Sequence, residues 1–329
     1  MRVLIAGSLL LPFDQLEKAF EEAHPQVDVL MEGHGSIQCI RQVTELDQLA
    51  DVVAVADHAL IPLLMERTTN SETGEPYARW SLQFATNQLG LAYTPESIGA
   101  DEITDENWFD VITRPDVLFG VSDPRFDACG YRGFMATQLA EGHYGDDAIF
   151  DRVFGDRFKQ PVRVQEEDGV STIRIPEVLQ PKEDAGLSMR GSSVRLLGLL
   201  ESGDIDYAFE YKSVSLQHGL EFLPLPPEIS LSDETRAAAY DDVQLELDFQ
   251  RFASVNPVFI GKPIAYGITI PTNAPHPDLA AELIQFLMGP EGQAIMEANE
   301  HPMILPPVVD DEEAMPADLR ELVSESLEG

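Results

Sequence analysis

The chain has 329 residues, with 58 acidic against 21 basic side chains and a formal net charge of −37. Nucleic acid and anionic lipid both bind through positive patches, so neither is expected as a partner of so negative a surface. A hydrophobic content of 44% excludes a disordered acidic chain and suffices for two domains with a large core. The acidity indicates a solvated coat adapted to concentrated salt, where screening is strong.

The first 65 residues alternate between strand and helix patterns. The apolar run Val3–Ala6 predicts a buried strand, and Pro12–Ala23 predicts a helix with one apolar face. The predicted elements that follow are strand Val27–Met31, helix Ile37–Leu46 capped by Ser36, strand Val52–Ala56, and helix Ala59–Met65 capped by Asp57. This order is typical of a doubly wound, mostly parallel sheet, whose ligands bind at the carboxyl ends of the strands.

Two long extended runs, Leu82–Tyr93 and Phe259–Ile270, predict two crossovers between domains. The predicted elements between and after them are strands Val117–Val121 and Ile205–Glu210, helices Tyr131–Ala140, Val194–Glu201, Pro277–Met288 and Glu291–Asn299, and a loosely held helical tail from Asp310. A sheet interrupted by a second sheet predicts two α/β lobes with a hinge and a cleft between them. Residues 1–86 with 266–329 would form lobe 1, and residues 87–265 would form lobe 2.

Three loop-to-helix turns stand out as candidate anion-binding segments. They are Gly7-Ser8, Gly35-Ser36 and the turn Asp127-Ala128-Cys129. A helix N-terminus offers N–H donors and a positive dipole end, so three of them predict one site that captures an anion. The alternative is that each turn is an ordinary helix cap. The phenol of Tyr211, at a strand end, would either donate to the anion or be satisfied by the backbone.

Enzyme and metal signatures are weak in this sequence. The seven histidines show no ligand spacing, and neither a nucleophile elbow nor a phosphate loop is present. Cys39 and Cys129 are too few for a disulfide scaffold, and nothing nearby demands a bridge between them. The segment Arg2–Gly7 is too short for a signal peptide and predicts a strand, so the protein is either cytoplasmic or lacks its leader in the sequence given.

Several motifs together resemble a known family. They are Ala6-Gly7-Ser8-Leu9, Gly35-Ser36-Ile37-Gln38-Cys39-Ile40-Arg41, Ala50-Asp51-Val52-Val53-Ala54-Val55-Ala56-Asp57, Phe84-Ala85-Thr86-Asn87, Asp127-Ala128-Cys129-Gly130-Tyr131-Arg132, Asp206-Tyr207-Ala208-Phe209-Glu210-Tyr211-Lys212-Ser213-Val214 and Pro290-Glu291-Gly292-Gln293. Almost end to end, the chain is similar to the archaeal tungstate/molybdate-binding proteins of ABC transporters. The resemblance implies a type II periplasmic-binding-protein fold, in which two α/β lobes joined by two crossover strands close over a tetrahedral oxyanion.

The resemblance also implies a set of ligand-binding residues. By motif match these are Gly7, Ser8, Ser36, Asp127, Ala128, Cys129 and Tyr211. Asp127 would be a ligand to the tungsten or molybdenum of the oxyanion, because those elements accept extra oxygen ligands more readily than sulfur or phosphorus. The family's second carboxylate falls here on Ser193, which can only hydrogen-bond an oxygen. Tetrahedral binding therefore stays open beside octahedral coordination.

The function that this resemblance implies is transport and not catalysis. The protein would capture molybdate or tungstate, use no cofactor, and deliver the oxyanion to an ABC permease and ATPase. It would be a monomer, lipid-anchored on the extracellular face of the membrane of a salt-loving archaeon. Two alternatives remain, a receptor for sulfate or another tetrahedral oxyanion, and a cytosolic enzyme or oxyanion sensor on the same fold.

Overall fold

A computed structural model describes residues 1–247 and 257–324 of the chain. The chain forms two compact units. The first unit consists of Met1–Asn87 and Ala265–Gly329, and the second unit consists of Gln88–Ile264. The chain thus passes from the first unit to the second after Asn87 and returns after Ile264, within or beside the two extended runs that the sequence indicates.

The helices and strands alternate in short elements. The first stretch of the first unit contains β1 Arg2–Ala6, α1 Leu10–Ala23, β2 Leu30–His34, α2 Ser36–Thr44, β3 Val52–Val55 and β4 Leu82–Thr86. The second unit contains β5 Leu89–Tyr93, α3 Trp108–Val111, β6 Phe119–Ser122, α4 Ala128–Tyr144, β7 Arg163–Glu167, β8 Val170–Ile175, β9 Leu187–Arg190, α5 Leu197–Ser202, β10 Tyr207–Tyr211, α6 Lys212–Gln217, β11 Glu221–Pro224, α7 Ala237–Tyr240, β12 Val243–Leu247 and β13 Val258–Ile260. The returning stretch contains β14 Ala265–Thr269, α8 Pro277–Met288, α9 Pro290–Ala298, β15 Met303–Val309 and α10 Glu321–Ser324.

The first unit is built on a sheet with the strand order β15-β4-β14-β3-β1-β2. Strands β2, β1 and β3 are parallel neighbours, whereas β14, β4 and β15 pair antiparallel. Strands β1 and β3 are buried almost throughout, because helices cover the apolar Val, Leu and Ile side chains of this region. The predicted βαβ order is confirmed, but the sheet is mixed and not mostly parallel.

The second unit holds two smaller sheets among its described residues. One has the order β11-β5-β10-β6-β9, with β10, β6 and β9 parallel, and the other has the order β13-β12-β8-β7. Helix α4 is buried along most of its length, and its small residues allow that close packing. A Cβ added at Gly133 would lie 2.7 Å from the Phe209 ring of β10. Helix α4 is thereby held against the sheet that carries β6 and β10.

Several predicted boundaries need correction. Strand β2 begins three residues later than Val27, and the predicted helix Ala59–Met65 is a turn of π-helix over Pro62–Glu66. The predicted helix Val194–Glu201 divides into a 3-10 turn and α5. In the predicted tail, the described residues form a 3-10 turn over Ala317–Leu319 and then α10, and residues 325–329 lie outside the described part.

Cys39 and Cys129 are both buried, and they form no disulfide with each other. Cys39 donates to the carbonyl oxygen of Ile5 in the first unit, and Cys129 donates to that of Phe209 in the second. Burial raises the pKa of Cys129 well above its ordinary value, so this thiol stays protonated. Within 1–247 and 257–324, no helix has the length and apolar character needed to cross a membrane.

Glu66 is expected to make the stability of the folded protein depend on pH. Burial, reinforced by the charges of Asp310 and Asp311, raises the pKa of half-buried Glu66 to about 7. Because the raised pKa lies in the folded state, the stability associated with protonated Glu66 is full below about pH 4.5 and is lost as pH rises through about 7. Glu66→Gln is therefore expected to raise the free energy of unfolding at about pH 8 by roughly 1 kcal/mol, after allowance for solvent screening.

Thermal unfolding of Glu66→Gln and the parent protein at about pH 5 and pH 8 measures this effect. The matched control is Glu72→Gln, which changes an exposed side chain of the same unit. We expect the Tm difference between Glu66→Gln and the parent to be larger at the higher pH. An equal difference at both pH values would contradict the account.

Candidate functional site

In the first unit, three loops follow parallel strands at one edge of the sheet. A 3-10 turn, Gly7–Leu9, follows β1, α2 begins at Ser36 directly after β2, and Asp57 follows β3. Because β2, β1 and β3 are parallel neighbours, these loops all lie at the carboxyl edge. The starts of the helical turns that follow β1, β2 and β3 therefore lie side by side at this edge.

Ser8 lies at the end of a chain of polar contacts in the first unit. The Tyr266 hydroxyl donates to Ser8 Oγ at 2.9 Å, and Asn87 Nδ2 donates to the Tyr266 oxygen at 3.0 Å. All three side chains are at most 5% exposed. The contacts fix the Ser8 hydroxyl on a rigid support from β14, and the hydroxyl proton of Ser8 is left available for an acceptor.

Ser36 does not cap α2 as the sequence predicted. Gly35 is the N-cap of α2, and the Ser36 hydroxyl oxygen instead accepts from the Ala56 N–H at 3.0 Å. The serine therefore joins the start of α2 to the end of β3 and does not cap its own helix. Its side chain is completely buried. Because the Ser36 oxygen accepts this hydrogen bond, the Ser36 O–H, like that of Ser8, can still donate to another group.

In the second unit, the parallel strands β10, β6 and β9 end close to one another and carry the other predicted residues. Asp127 is the N-cap residue of α4, which follows β6. Ser193 begins the 3-10 turn that follows β9, and Tyr211 ends β10. The structure therefore places Asp127, Ser193 and Tyr211 at the carboxyl edge of a single sheet.

Asp127 is a buried carboxylate held by backbone donors. Its Oδ2 accepts from the Ser193 N–H at 2.9 Å. Burial raises the pKa of Asp127 to about 6, and the Ser193 and Ala128 amides and the Arg132 charge oppose that rise. Asp127 is consequently ionised at neutral pH, although only 6% of it is exposed. Through the Ser193 N–H, the carboxylate joins the start of α4 to the 3-10 turn that follows β9.

Glu210 is a second buried carboxyl group in the same cluster. Its Oε1 accepts from the Ser193 hydroxyl at 3.0 Å and from the Tyr211 N–H at 2.8 Å. Burial, reinforced by the charge of Asp127, raises the pKa of Glu210 to about 8 although both donors oppose that rise. Of the two carboxyl groups, Glu210 is therefore the one that burial and its charged neighbour favour more strongly in the neutral form.

Arg132 supplies the positive charge of this cluster. Its Nη1 donates to the Tyr211 hydroxyl oxygen at 2.7 Å, and its side chain is 2% exposed. The guanidinium fixes the phenol with its oxygen as acceptor, so the Tyr211 proton points to another group. A buried Arg beside ionised Asp127 leaves the cluster close to neutral before any ligand binds.

The predicted residues fall into two groups, one in each unit. The first unit holds Gly7, Ser8 and Ser36, and the second unit brings together Asp127, Ala128, Cys129, Ser193 and Tyr211. Sequence reasoning missed the supporting side chains, which are Asn87, Arg132, Glu210 and Tyr266. Three of these four residues lie inside the motifs that carry the resemblance. The motifs therefore marked their positions but did not indicate that these side chains support the site. Tyr266 had no local signal beyond its place in an extended run.

Comparison with known proteins decides the family. Residues 1–299 match the family model described as bacterial extracellular solute-binding protein. The chain belongs to this family. A solute-binding protein of Methanoculleus marisnigri is 43% identical over 93% of this chain and 82% of its own length. The predicted transport class is thereby confirmed, and the alternative of an enzyme on the same fold is not supported.

Named relatives and solved structures agree with the resemblance stated above. The molybdate/tungstate-binding protein WtpA of Pyrococcus abyssi is 37% identical over 92% of this solute-binding chain and 84% of its own length. The periplasmic molybdate-binding protein of Azotobacter vinelandii has a TM-score of 0.58 at 14% identity, over 92% of this chain and 98% of its own. The likeness to archaeal relatives and the periplasmic-binding-protein fold are both confirmed.

Proposed function

We propose that this chain is the substrate-binding protein of an ABC transporter and that its ligand is the molybdate or tungstate oxyanion. The similarity to WtpA of Pyrococcus abyssi motivates the choice of ligand. The single observation that carries the proposal is the second-unit cluster, in which buried donors surround the start of α4. A small dianion loses its hydration shell on binding, and fixed N–H and O–H donors replace that water.

The proposed ligand residues come from both units. Gly7, Ser8 and Ser36 would contribute amides and hydroxyls, Ala128 and Cys129 would contribute amides, and Tyr211 would contribute its hydroxyl. Ser193, whose amide and hydroxyl donate to Asp127 and Glu210, would hold those two carboxyl groups in place. Each charge-assisted hydrogen bond contributes about 1.5–3 kcal/mol, enough together for tight binding after the cost of ordering the protein. The two units would act as the two lobes of the binding protein.

Asp127 needs a separate explanation, because a carboxylate beside a dianion is repulsive. We propose that Asp127 is a ligand to the tungsten or molybdenum atom, whose coordination shell can expand. Sulfur does this far less readily, so the same carboxylate would discriminate against sulfate. A specific observation favours sulfate as a second candidate, since Ser193 stands where the resemblance implies another carboxylate.

The proposed partners and location follow the family. The protein would deliver its oxyanion to a membrane permease and ATPase, act as a monomer, and be held by a lipid anchor on the extracellular face. The net charge of −37 suits a salt-loving host, because concentrated salt shortens the range of repulsion among surface carboxylates. Binding experiments therefore belong in concentrated potassium chloride.

Isothermal titration with tungstate, molybdate and sulfate tests the ligand assignment. We expect tungstate and molybdate to bind, and sulfate at equal concentration to leave molybdate in place. Asp127→Asn should weaken tungstate binding at least about tenfold, about 1.4 kcal/mol, and leave sulfate binding unchanged or stronger. The matched control is Asp147→Asn, an exposed position in the same unit. Displacement of molybdate by sulfate would favour the sulfate receptor, and equal losses for both anions would mean that Asp127 only supports the fold.

A further inference from the structure

Glu210 has an oxygen atom that the protein leaves unused. The residue stands next to last in β10 and is 1% exposed. Its Oε1 accepts two hydrogen bonds, whereas its Oε2 is buried and has no hydrogen-bond partner among the residues that the structure describes. A buried polar oxygen without a partner destabilises the folded state, so its retention calls for an explanation.

The position of the proton follows from these contacts. Oε1 accepts from the Ser193 hydroxyl and from the Tyr211 N–H, so a proton on Oε2 leaves both of these hydrogen bonds intact. A neutral carboxyl group here carries its proton on Oε2, where it is a hydrogen-bond donor without an acceptor. The raised pKa of Glu210, about 8, agrees with a neutral group at neutral pH.

The surroundings of Glu210 also explain why a second negative charge is not tolerated. Burial and the charge of Asp127 raise the pKa of Glu210, and burial raises the pKa of the Cys129 thiol. Arg132 lies on α4, as Cys129 does, and the charge of Arg132 lowers the pKa of Asp127. With Asp127 ionised, Arg132 positive, and Glu210 and Cys129 neutral, the cluster accepts a dianion with less repulsion than two carboxylates would produce.

We propose that Glu210 is a further ligand-binding residue of the oxyanion site, in which its neutral carboxyl group donates an O–H hydrogen bond from Oε2 to an oxygen of the bound anion. This inference rests on the proposed function, and it adds a residue that the family resemblance does not supply. Ser193 then has a defined role, because its hydroxyl and amide hold Glu210 and Asp127 in position. The ligand class is a tetrahedral oxyanion whose oxygens accept hydrogen bonds.

The substitution Glu210→Gln distinguishes two possible roles of Glu210, a neutral hydrogen-bond donor and an ionised carboxylate ligand. The carboxamide keeps an acceptor oxygen for Ser193 and Tyr211 and presents an N–H where the acid presents its O–H. We expect Glu210→Gln to bind tungstate within about threefold of the parent protein at about pH 7. Above about pH 8 the parent should lose affinity by up to about tenfold per pH unit, whereas Glu210→Gln should not.

Tungstate titrations from about pH 6.5 to about pH 9.5 measure both effects, and repeating them in buffers of different ionisation enthalpy measures proton uptake. At about pH 9 the parent should take up close to one proton on binding, and Glu210→Gln should take up none. The matched control is Glu221→Gln, an exposed carboxylate on β11 in the same sheet, which should follow the parent. Thermal unfolding of each variant verifies that it is folded.

These measurements distinguish a failure of the inference about Glu210 from a failure of the proposed function. If the parent protein binds tungstate at no pH, the ligand assignment is wrong. If the parent binds and Glu210→Gln weakens binding tenfold or more at about pH 7, the site needs an ionised carboxylate and the inference is overturned. A parent affinity that is constant up to about pH 9.5, with no proton uptake, would overturn it as well.

Discussion

Gly130→Ala is expected to lower the free energy of unfolding by about 3 kcal/mol and to weaken oxyanion binding. Gly130 lies in the first turn of α4, where an added Cβ would stand 2.3 Å from the carbonyl oxygen of Ser122 and 3.0 Å from the Asp123 carbonyl carbon. Both are backbone atoms, so no side-chain rotation relieves the clash. The start of α4 must move away from the end of β6, and Asp127 moves with it.

Chemical unfolding and tungstate titration of Gly130→Ala measure these two effects. Gly142→Ala is a control in the same helix, because an added Cβ there meets nothing within 4 Å. Alanine exceeds glycine in helix propensity, so Gly142→Ala should stabilise the protein by roughly 0.5–1 kcal/mol and leave binding unchanged. If Gly130→Ala lowered neither the free energy of unfolding nor tungstate binding, α4 could not approach β6 as closely as described.

Arg132→Leu is expected to cost about 3–5 kcal/mol of stability at neutral pH, because it removes the positive charge beside a buried carboxylate. The Tyr211 hydroxyl also loses its donor from Arg132 Nη1. Since the Arg132 charge lowers the pKa of Asp127, its removal should raise that pKa above about 6. The penalty should therefore shrink as pH falls and Asp127 becomes protonated.

Unfolding free energies of Arg132→Leu at about pH 5 and about pH 7.5 test this expectation. Arg114→Leu is the control, since its guanidinium forms a partly exposed ion pair with Glu102 in the same unit. Exposed pairs contribute at most about 1 kcal/mol, so Arg114→Leu should have a small effect. A loss for Arg132→Leu that is no larger than the loss for Arg114→Leu would contradict the electrostatic role of Arg132.

Local patterns were sufficient for the elements that have strong local signals. The predicted helix Pro277–Met288 has the bounds of α8, and the turn at Asp127 does begin a helix. The edge strand β15 was missed because it contains Pro306 and Pro307, which do not fit the pattern of a central strand. Strand β2 was placed too early because Gly33 and His34 lack the apolar character that marked its neighbours.

The site could be predicted only where it depends on sequence motifs. Turns such as Gly35-Ser36 were visible, but the bond from the Ala56 N–H to Ser36 Oγ joins residues of two different strand ends. Glu210 could not be told from the many other carboxylates of so acidic a chain. Its importance depends on burial and on contacts with Ser193, which is 17 residues away in the sequence. Such contacts arise from tertiary packing and have no local signature.

The proposed function requires that the cluster around Asp127 binds a tungstate or molybdate ion. The most direct test is a crystal grown with tungstate and measured at the tungsten absorption edge, where anomalous scattering locates the metal without reference to the protein. We expect a single strong peak at the tungsten atom, with the oxygens of the anion at hydrogen-bonding distance from the first amides of α4 and from Tyr211. A peak elsewhere, or an occupied crystal in which these groups contact only water, would contradict it.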